Sequence, residues 1–295
     1  MPPANVLMAA SSMRSLGPAT TPMPSPERVE RAVRALSLGA VAATYDRYRP
    51  APPHAAVAWL LPQRVKVAVD VAAGTGALAR RLLDRADQVV TVEPDERMAA
   101  VLARRLPSVR LLVGRGESLP LADASADVVL VSSAWHWLDH GEAVPEFARV
   151  LRPSGLLGIC WTSLDRESQR GRLLWETGRK LLPQWRERRE RHRPEDVRLP
   201  EGAPFGPSQI ARLRAGWRVS PHHLAEVMGT YSSVITLPEG ERDRLLAQVR
   251  QAVASQPDLV GRQRVTVPLS CRCWKARRLQ TFARRRGGHH SDTGA

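Results

Sequence analysis

Lysine is nearly absent from this chain. Of its 44 basic residues only Lys66, Lys180 and Lys275 are lysines. Together with abundant alanine and proline, that points to a GC-rich coding sequence, so part of the formal net charge of +15 is codon usage. Cysteine is also scarce. Cys160, Cys271 and Cys273 cannot build a disulfide framework, and Cys271-x-Cys273 is one residue short of the C-x-x-C spacing. Buried thiols on a strand are the expectation. None of the three tyrosines, Tyr45, Tyr48 and Tyr231, has a lysine four residues on, which excludes a Tyr-x-x-x-Lys proton relay. No apolar run approaches the roughly 18–20 residues of a membrane span. The first residues lack a basic stretch followed by an apolar one, so no secretory signal is expected. A soluble, cytoplasmic protein without membrane contact follows as an expectation.

What is present is core-forming material. The 295 residues are 43% hydrophobic, enough for one α/β domain with additions. The charge is uneven. Residues 60–160 carry 12 basic and 12 acidic residues, whereas residues 161–295 carry 26 against 14. A solvated basic face, attraction of an acidic small substrate, or a nucleic-acid footprint can each account for that surplus.

Residues 1–24 have no period and many turn formers, and read as a disordered extension. Ser25-Pro26-Glu27 carries helix-start chemistry. From 65 to 161, apolar β-branched runs alternate with helical patterns. The runs are Val65–Val71, Val89–Val92, Val109–Val113, Val128–Val131 and Leu156–Trp161. Between them, Leu78, Leu82 and Leu83 read as one helix face. Asp95 and Asp139 stand where caps of the next two helices belong, and Pro153-Ser154-Gly155 reads as a turn into the fifth strand. Strand–helix alternation at this spacing predicts a doubly wound, mostly parallel sheet. The core is expected over residues 25–162 and a charged helical lid over 163–204. Residues 205–278 complete the sheet, with helices at 221–229 and 239–255 and a strand at Val265–Trp274. Residues 279–295 read as a basic tail.

The segment Asp70-Val71-Ala72-Ala73-Gly74-Thr75-Gly76 follows the first strand and opens a helix. Glycines there let the backbone approach a ligand closely. Glu93 ends the second strand, where a carboxylate can accept from both hydroxyls of a ribose. A nucleoside-containing ligand is therefore expected. Gly74-Thr75-Gly76-Ala77-Leu78-Ala79 also satisfies G-x-G-x-x-A, the dinucleotide fingerprint of NAD(P)-dependent oxidoreductases. An acid at Asp70 suits a cofactor with an amino-acid moiety better than a pyrophosphate. S-adenosylmethionine (SAM) is thus favoured over a nicotinamide.

With these residues the chain resembles the class I SAM-dependent methyltransferases. Within them it is similar to the type 11, trans-aconitate methyltransferase-like proteins that act on small molecules. The resemblance runs from about Leu38 to Arg278. It rests on LGAVAATYDRYRP (38–50), VDVAAGTG (69–76), VVTVEPDERM (89–98), GRGESLPLADASADVVLVSSAWHW (114–137), ARVLRPSGLLGICW (148–161) and TYSSVITLP (230–238). It implies a seven-stranded Rossmann-like sheet. It also implies that Asp70, Ala72, Gly74 and Gly76 wrap the methionine part of SAM, that Glu93 holds the ribose, that Gly116 and Glu117 lie by the adenine, and that Ser133 and Ala134 floor the site. Two positions depart from the pattern. Ala72 stands at the motif's first glycine, and Arg115 stands where an acid often follows Gly114.

For the chemistry, His136 lies just past the fourth strand between Trp135 and Trp137, at the carboxyl edge where open α/β sheets bind ligands. An imidazole there can accept a proton from the methyl acceptor, and the indoles can wall its pocket or belong to the core. Tyr45 can reach the methionine end, and Arg49 can pair with a carboxylate. No His or Cys set has metal-ligand spacing. The segment after the fourth strand, Ser132-Ser133-Ala134-Trp135-His136-Trp137, lacks the N/D-P-P-aromatic run of base N6-methylation. A small-molecule acceptor is therefore expected, with an RNA-modifying or nucleic-acid-binding protein of the same fold as the alternative.

Overall fold

Apolar β-branched runs flanked by amphipathic segments bury themselves best as a sheet covered on both faces. The computed structural model of the chain describes residues 33–181 and 194–280. Its strands form one seven-stranded sheet in the order β3-β2-β1-β4-β5-β7-β6. The strands are β1 (Val65–Val71), β2 (Ala86–Glu93), β3 (Arg110–Val113), β4 (Ala126–Ser132), β5 (Leu151–Leu164), β6 (Gln209–Val219) and β7 (Val265–Arg277). Strands β1 to β5 run parallel, and β7 lies antiparallel between β5 and β6. This is the doubly wound, mostly parallel sheet expected from the sequence.

Two apolar layers cover the sheet. On one face, Val69, Val71, Val129, Val131, Leu157 and Ile159 pack under α5 (His140–Val150) through Val144, Phe147 and Val150. On the other, Ala68, Val128 and Leu130 pack under α2 (His54–Leu60), α3 (Ala79–Leu82) and α4 (Glu96–Arg105). The three cysteines lie in this second layer as buried, free thiols. Asp95 caps α4 by accepting from the Arg97 N–H at 2.9 Å, and Asp139 caps α5 by accepting from the Gly141 N–H at 3.0 Å.

The structure corrects four local readings. Leu83 is exposed, whereas Leu78 and Leu82 are buried, because α3 is a single turn that ends before Leu83. Strand β5 begins at Leu151, so Pro153-Ser154-Gly155 lies within it as an irregularity in which Ser154 adopts φ 63°. Strand β5 also runs on to Leu164, past the start expected for the lid. Strand β6, absent from the sequence reading, forms the sheet's edge. It places Ala211, Leu213, Ala215 and Trp217 on its covered side and Arg212, Arg214 and Arg218 outside.

Beyond β5, α6 (Gln169–Leu181) is followed by residues outside the description, and Pro194–Asp196 forms a 3-10 turn. The C-terminal helices are α7 (Pro221–Met228), α8 (Ser232–Ile235) and α9 (Glu239–Ala254). Before the sheet, α1 (Ala42–Tyr48) packs on α4 through Ala42, Met98 and Val101. The extension at 1–24, the Ser25 cap, residues 182–193 of the charged stretch and the tail from 281 lie outside the described residues. Phe147 is fully buried between α5 and the sheet. Phe147→Ala is expected to cost about 3–5 kcal/mol of stability, read by denaturant unfolding of the two proteins.

Candidate active site at the carboxyl edge of the sheet

Strand β1 delivers Asp70 to the edge of the sheet, and the chain then turns sharply. Ala72, Gly74 and Gly76 adopt φ 53°, 58° and 84°. At Gly76 the glycine serves packing, since a Cβ there would sit 2.9 Å from Leu106 Cδ1 and 3.0 Å from Leu102 Cγ of the α4 side. At Gly74 an added Cβ would meet nothing within 4 Å, so the backbone there faces open space. Ala72 keeps the left-handed conformation of a glycine while carrying a methyl group, a strained state for an L-residue.

The turn is fastened to the end of β2. The Gly74 N–H donates to Glu93 Oε2 at 2.7 Å, and the Asp95 N–H donates to Glu93 Oε1 at 3.0 Å. The Gly74 N–H therefore serves the fold rather than a ligand. The carboxylate of Glu93 is held in one orientation, and each of its oxygens keeps a second lone pair. Burial raises the Glu93 pKa, partly opposed by those two amides.

Asp70 is in a harsher place. It is buried, and neither of its oxygens meets a donor at ordinary hydrogen-bond geometry. Burial pushes its pKa up to about 8; the Ala79 amide opposes part of this, and the Glu93 charge adds to it. Two neighbouring carboxyl groups, with no cation beside Asp70 among the described residues, suit a positively charged group.

The remaining wall comes from the ends of β3 and β4. Gly116 is packed against Leu138 and Val71, where a Cβ would clash at 2.8 Å with Leu138 Cδ2. Glu117 Oε1 accepts from the Asp139 N–H at 2.9 Å and pairs with Arg115 at 3.6 Å. Ser133 adopts φ 56° and donates its N–H to the Cys160 carbonyl at 2.7 Å, which turns the chain off β4. Trp135, His136 and Trp137 then form a 3-10 turn. Trp135 is buried and stacks on His140 at 4.2 Å, so its indole belongs to the core. His136 lies half-buried against Trp137, ring centroids 4.4 Å apart. The sequence-designated residues from Asp70 to Trp137 thus gather along the ends of β1 to β4.

Tyr45 and Arg49 are already engaged with other side chains. The Arg49 Nε donates to Thr230 Oγ1 at 2.7 Å and Nη2 donates to the Thr230 carbonyl at 2.9 Å. Its guanidinium lies 3.9 Å from the ring centre of Tyr231 and 5.2 Å from that of Tyr45. Thr230 thus occupies the Nε/Nη2 edge of the Arg49 guanidinium. Thr230, Tyr231 and His223, which contacts the Tyr48 carbonyl at 3.0 Å, are partners that the sequence reading did not single out, although 230–238 was among its motifs.

Comparison with known proteins agrees with this geometry. Residues 69–159 match the methyltransferase-domain family. An uncharacterised methyltransferase of Mycobacterium tuberculosis is 38% identical over 245 residues, 82% of this chain and 95% of that one. A structure provisionally named a type II methyltransferase, from Anaeromyxobacter dehalogenans, superposes with a TM-score of 0.58 at 23% identity, covering 78% of this chain and 98% of that one. A Haemonchus contortus phosphoethanolamine N-methyltransferase, solved with phosphomonomethylethanolamine and S-adenosylhomocysteine, gives a TM-score of 0.50 at 14% identity, covering 82% of this chain and 58% of that one. The chain belongs to the class I SAM-dependent methyltransferases. The residues present fit that cofactor in their chemistry: a buried acid with no cation beside it among the described residues suits an ammonium group, and an open glycine turn with a strand-end carboxylate suits a ribose-bearing ligand.

The Asp70 shift has a consequence for stability. Between about pH 4 and pH 8 the folded chain keeps a proton on Asp70 that the unfolded chain has lost, so this group's contribution to stability falls as pH rises through that window. Asp70→Asn is therefore expected to raise the Tm of the ligand-free protein more at pH 8 than at pH 5, measured by thermal unfolding at both values.

Proposed function

We propose that the protein transfers a methyl group from SAM to a small organic molecule, onto a carboxylate or hydroxyl oxygen. The observation that carries the donor half is the Asp70–Gly74–Glu93 arrangement. When bound, SAM supplies a methyl group on a positively charged sulfur. In this reading Asp70 holds the ammonium of the methionine part, with Ala72, Gly74 and Gly76 wrapped around it. Glu93 receives the ribose hydroxyls on its second lone pairs. Gly116 and Glu117 border the adenine, while Ser133 and Ala134 form the floor.

Methyl transfer asks the protein mainly to align the nucleophile and exclude water. His136 and Trp137 border that position from the end of β4. For a hydroxyl acceptor, His136 takes the proton as the oxygen attacks; a carboxylate arrives ionised and needs no base. The segment between β5 and β6 serves as the cover, and α1, held by Arg49, closes the side nearest α4. A small acceptor is favoured over RNA because the donor half is charge-neutral and the segment after β4 lacks a base-binding run.

Two measurements test this reading. Glu93→Ala is expected to weaken S-adenosylhomocysteine binding by about 1.5–3 kcal/mol in calorimetry, the scale of lost hydrogen bonds to a charged group; wild-type affinity in that variant would refute the ribose assignment. On an identified acceptor, His136→Ala is expected to lower kcat about 100- to 10,000-fold with loss of the acidic limb of the pH profile if the acceptor is a hydroxyl. A change confined to KM marks a carboxylate acceptor instead.

A further inference from the structure

The loop that leaves β3 runs along the cofactor side of the sheet edge. It starts at Glu93, whose carbonyl accepts from the Gly114 N–H at 3.3 Å. It then passes the end of β1, where a Cβ on Gly116 would stand 3.1 Å from Val71 Cγ1, next to Asp70 in the chain. On its other flank the loop meets the segment that leaves β4. The same added Cβ would stand 2.8 Å from Leu138 Cδ2. One residue on, Glu117 Oε1 accepts from the Asp139 N–H at 2.9 Å. Two consecutive residues of one loop thus hold two consecutive residues of the other. The Glu117 side chain is 11% exposed, whereas Arg115, 3.6 Å away, is 65% exposed. The amide hydrogen bond to a mostly buried carboxylate therefore restrains Glu117 more than the solvent-screened ion pair does.

Asp139 passes the contact on. Its side chain caps α5, and the first residue of that helix turns back on the preceding turn. His140 Nε2 lies 2.9 Å from the Trp135 carbonyl, and its ring stacks on the Trp135 indole at 4.2 Å. A carbonyl only accepts, so Nε2 carries the hydrogen. The same carbonyl accepts from the Leu138 N–H at 3.2 Å, and the Ala134 carbonyl accepts from the Trp137 N–H at 2.8 Å. The 3-10 turn that holds His136 is thus closed on itself and tied to the start of α5. The far end of the β3 loop is fixed to the same helix. The Leu119 N–H donates to Glu146 Oε1 at 2.7 Å, and Arg149 donates to the Leu119 and Leu121 carbonyls at 3.1 and 2.8 Å. Loop, turn and α5 therefore make one body, clamped at one end by Glu146 and Arg149 and at the end nearest Asp70 and Glu93 by Glu117. Segments joined in this way open and close as a unit, and a ligand that binds the closed form suppresses opening throughout it.

We propose that Glu117 is a positioning residue: through Asp139 and His140 it passes occupancy of the cofactor site to the turn carrying His136 and Trp137, so that the acceptor side takes its shape when the cofactor is bound. The inference rests on the methyltransferase reading above, which sets the adenine against Gly116 and Glu117, and it deepens that reading by giving the two substrates an order.

The test is hydrogen exchange on the full chain, read by mass spectrometry over residues 72–78 and 133–138, without ligand and with S-adenosylhomocysteine at about 100 times its Kd, where full coupling slows opening about 100-fold. In the wild type, exchange over both segments is expected to slow at least about tenfold. Glu117→Gln keeps an oxygen that accepts from the Asp139 N–H and is expected to keep both responses. Glu117→Leu removes that acceptor and is expected to keep the response at 72–78 while cutting the one at 133–138 below about twofold. A merely structural loss would raise exchange with and without ligand alike and leave the ratio unchanged. Where Glu117→Leu does not fold or bind, His140→Leu decides, since it leaves Glu117 on Asp139 and cuts the return to Trp135; the same split between the two segments is expected. No slowing at 133–138 in a wild type that binds the ligand, slowing there that survives the leucine variant, or a response that Glu117→Gln abolishes would overturn this proposal and leave the methyltransferase reading standing. A chain that does not bind S-adenosylhomocysteine loses both.

Discussion

The carboxylate of Glu93 gripping the N–H of Gly74 is the contact on which the site is built. It joins the end of β2 to the turn that leaves β1, and it fixes both against the edge of a sheet buried on two faces. A second acid, Asp70, lies near Glu93 with no compensating cation among the described residues. Burial then raises both groups in pKa, with the Glu93 charge adding to the rise at Asp70 and the Asp95 charge to that at Glu93. An acid pair of this kind costs stability in the free protein, and a ligand carrying positive charge relieves that cost. The chain's membership of the SAM-dependent methyltransferases and this local electrostatics converge on one cofactor.

Around that centre the two ends of the described chain are drawn together. Arg49, at the end of α1, reaches Thr230 and lies between the rings of Tyr45 and Tyr231. His223 adds a contact to the Tyr48 carbonyl, and Asp46 pairs with Arg105 of α4 at 2.8 Å. The N-terminal helix is thereby fixed over the α4 side of the sheet by residues roughly 180 positions apart. A close fit of this kind is what excludes water from a transfer reaction.

Much of this was legible in the sequence where a residue's role is local. Continuous apolar runs gave β1 to β4 within a few residues, and Asp95 and Asp139 announced their helices because capping needs only the next two residues. The Gly74 turn and Glu93 were legible for the same reason: strand ends and glycines mark where a backbone can receive a ligand. What depended on distant partners was not legible. Arg49 read as a free guanidinium because nothing near it in sequence names Thr230. Trp135 stayed open between pocket wall and core because its partner, His140, lies in the next helix. Strand β6 was missed although Ala211, Leu213, Ala215 and Trp217 alternate with Arg212, Arg214 and Arg218. That period of two is a strand signal, and the surrounding basic, helical stretches masked it.

A crystal structure of the protein with S-adenosylhomocysteine tests the account at its centre. The account requires the ribose hydroxyls on the Glu93 carboxylate, the amino group of the homocysteine part beside Asp70, and the adenine against Gly116 and Glu117. A ligand bound with its ribose away from Glu93, or a nicotinamide dinucleotide occupying the Gly74 turn in its place, would contradict it.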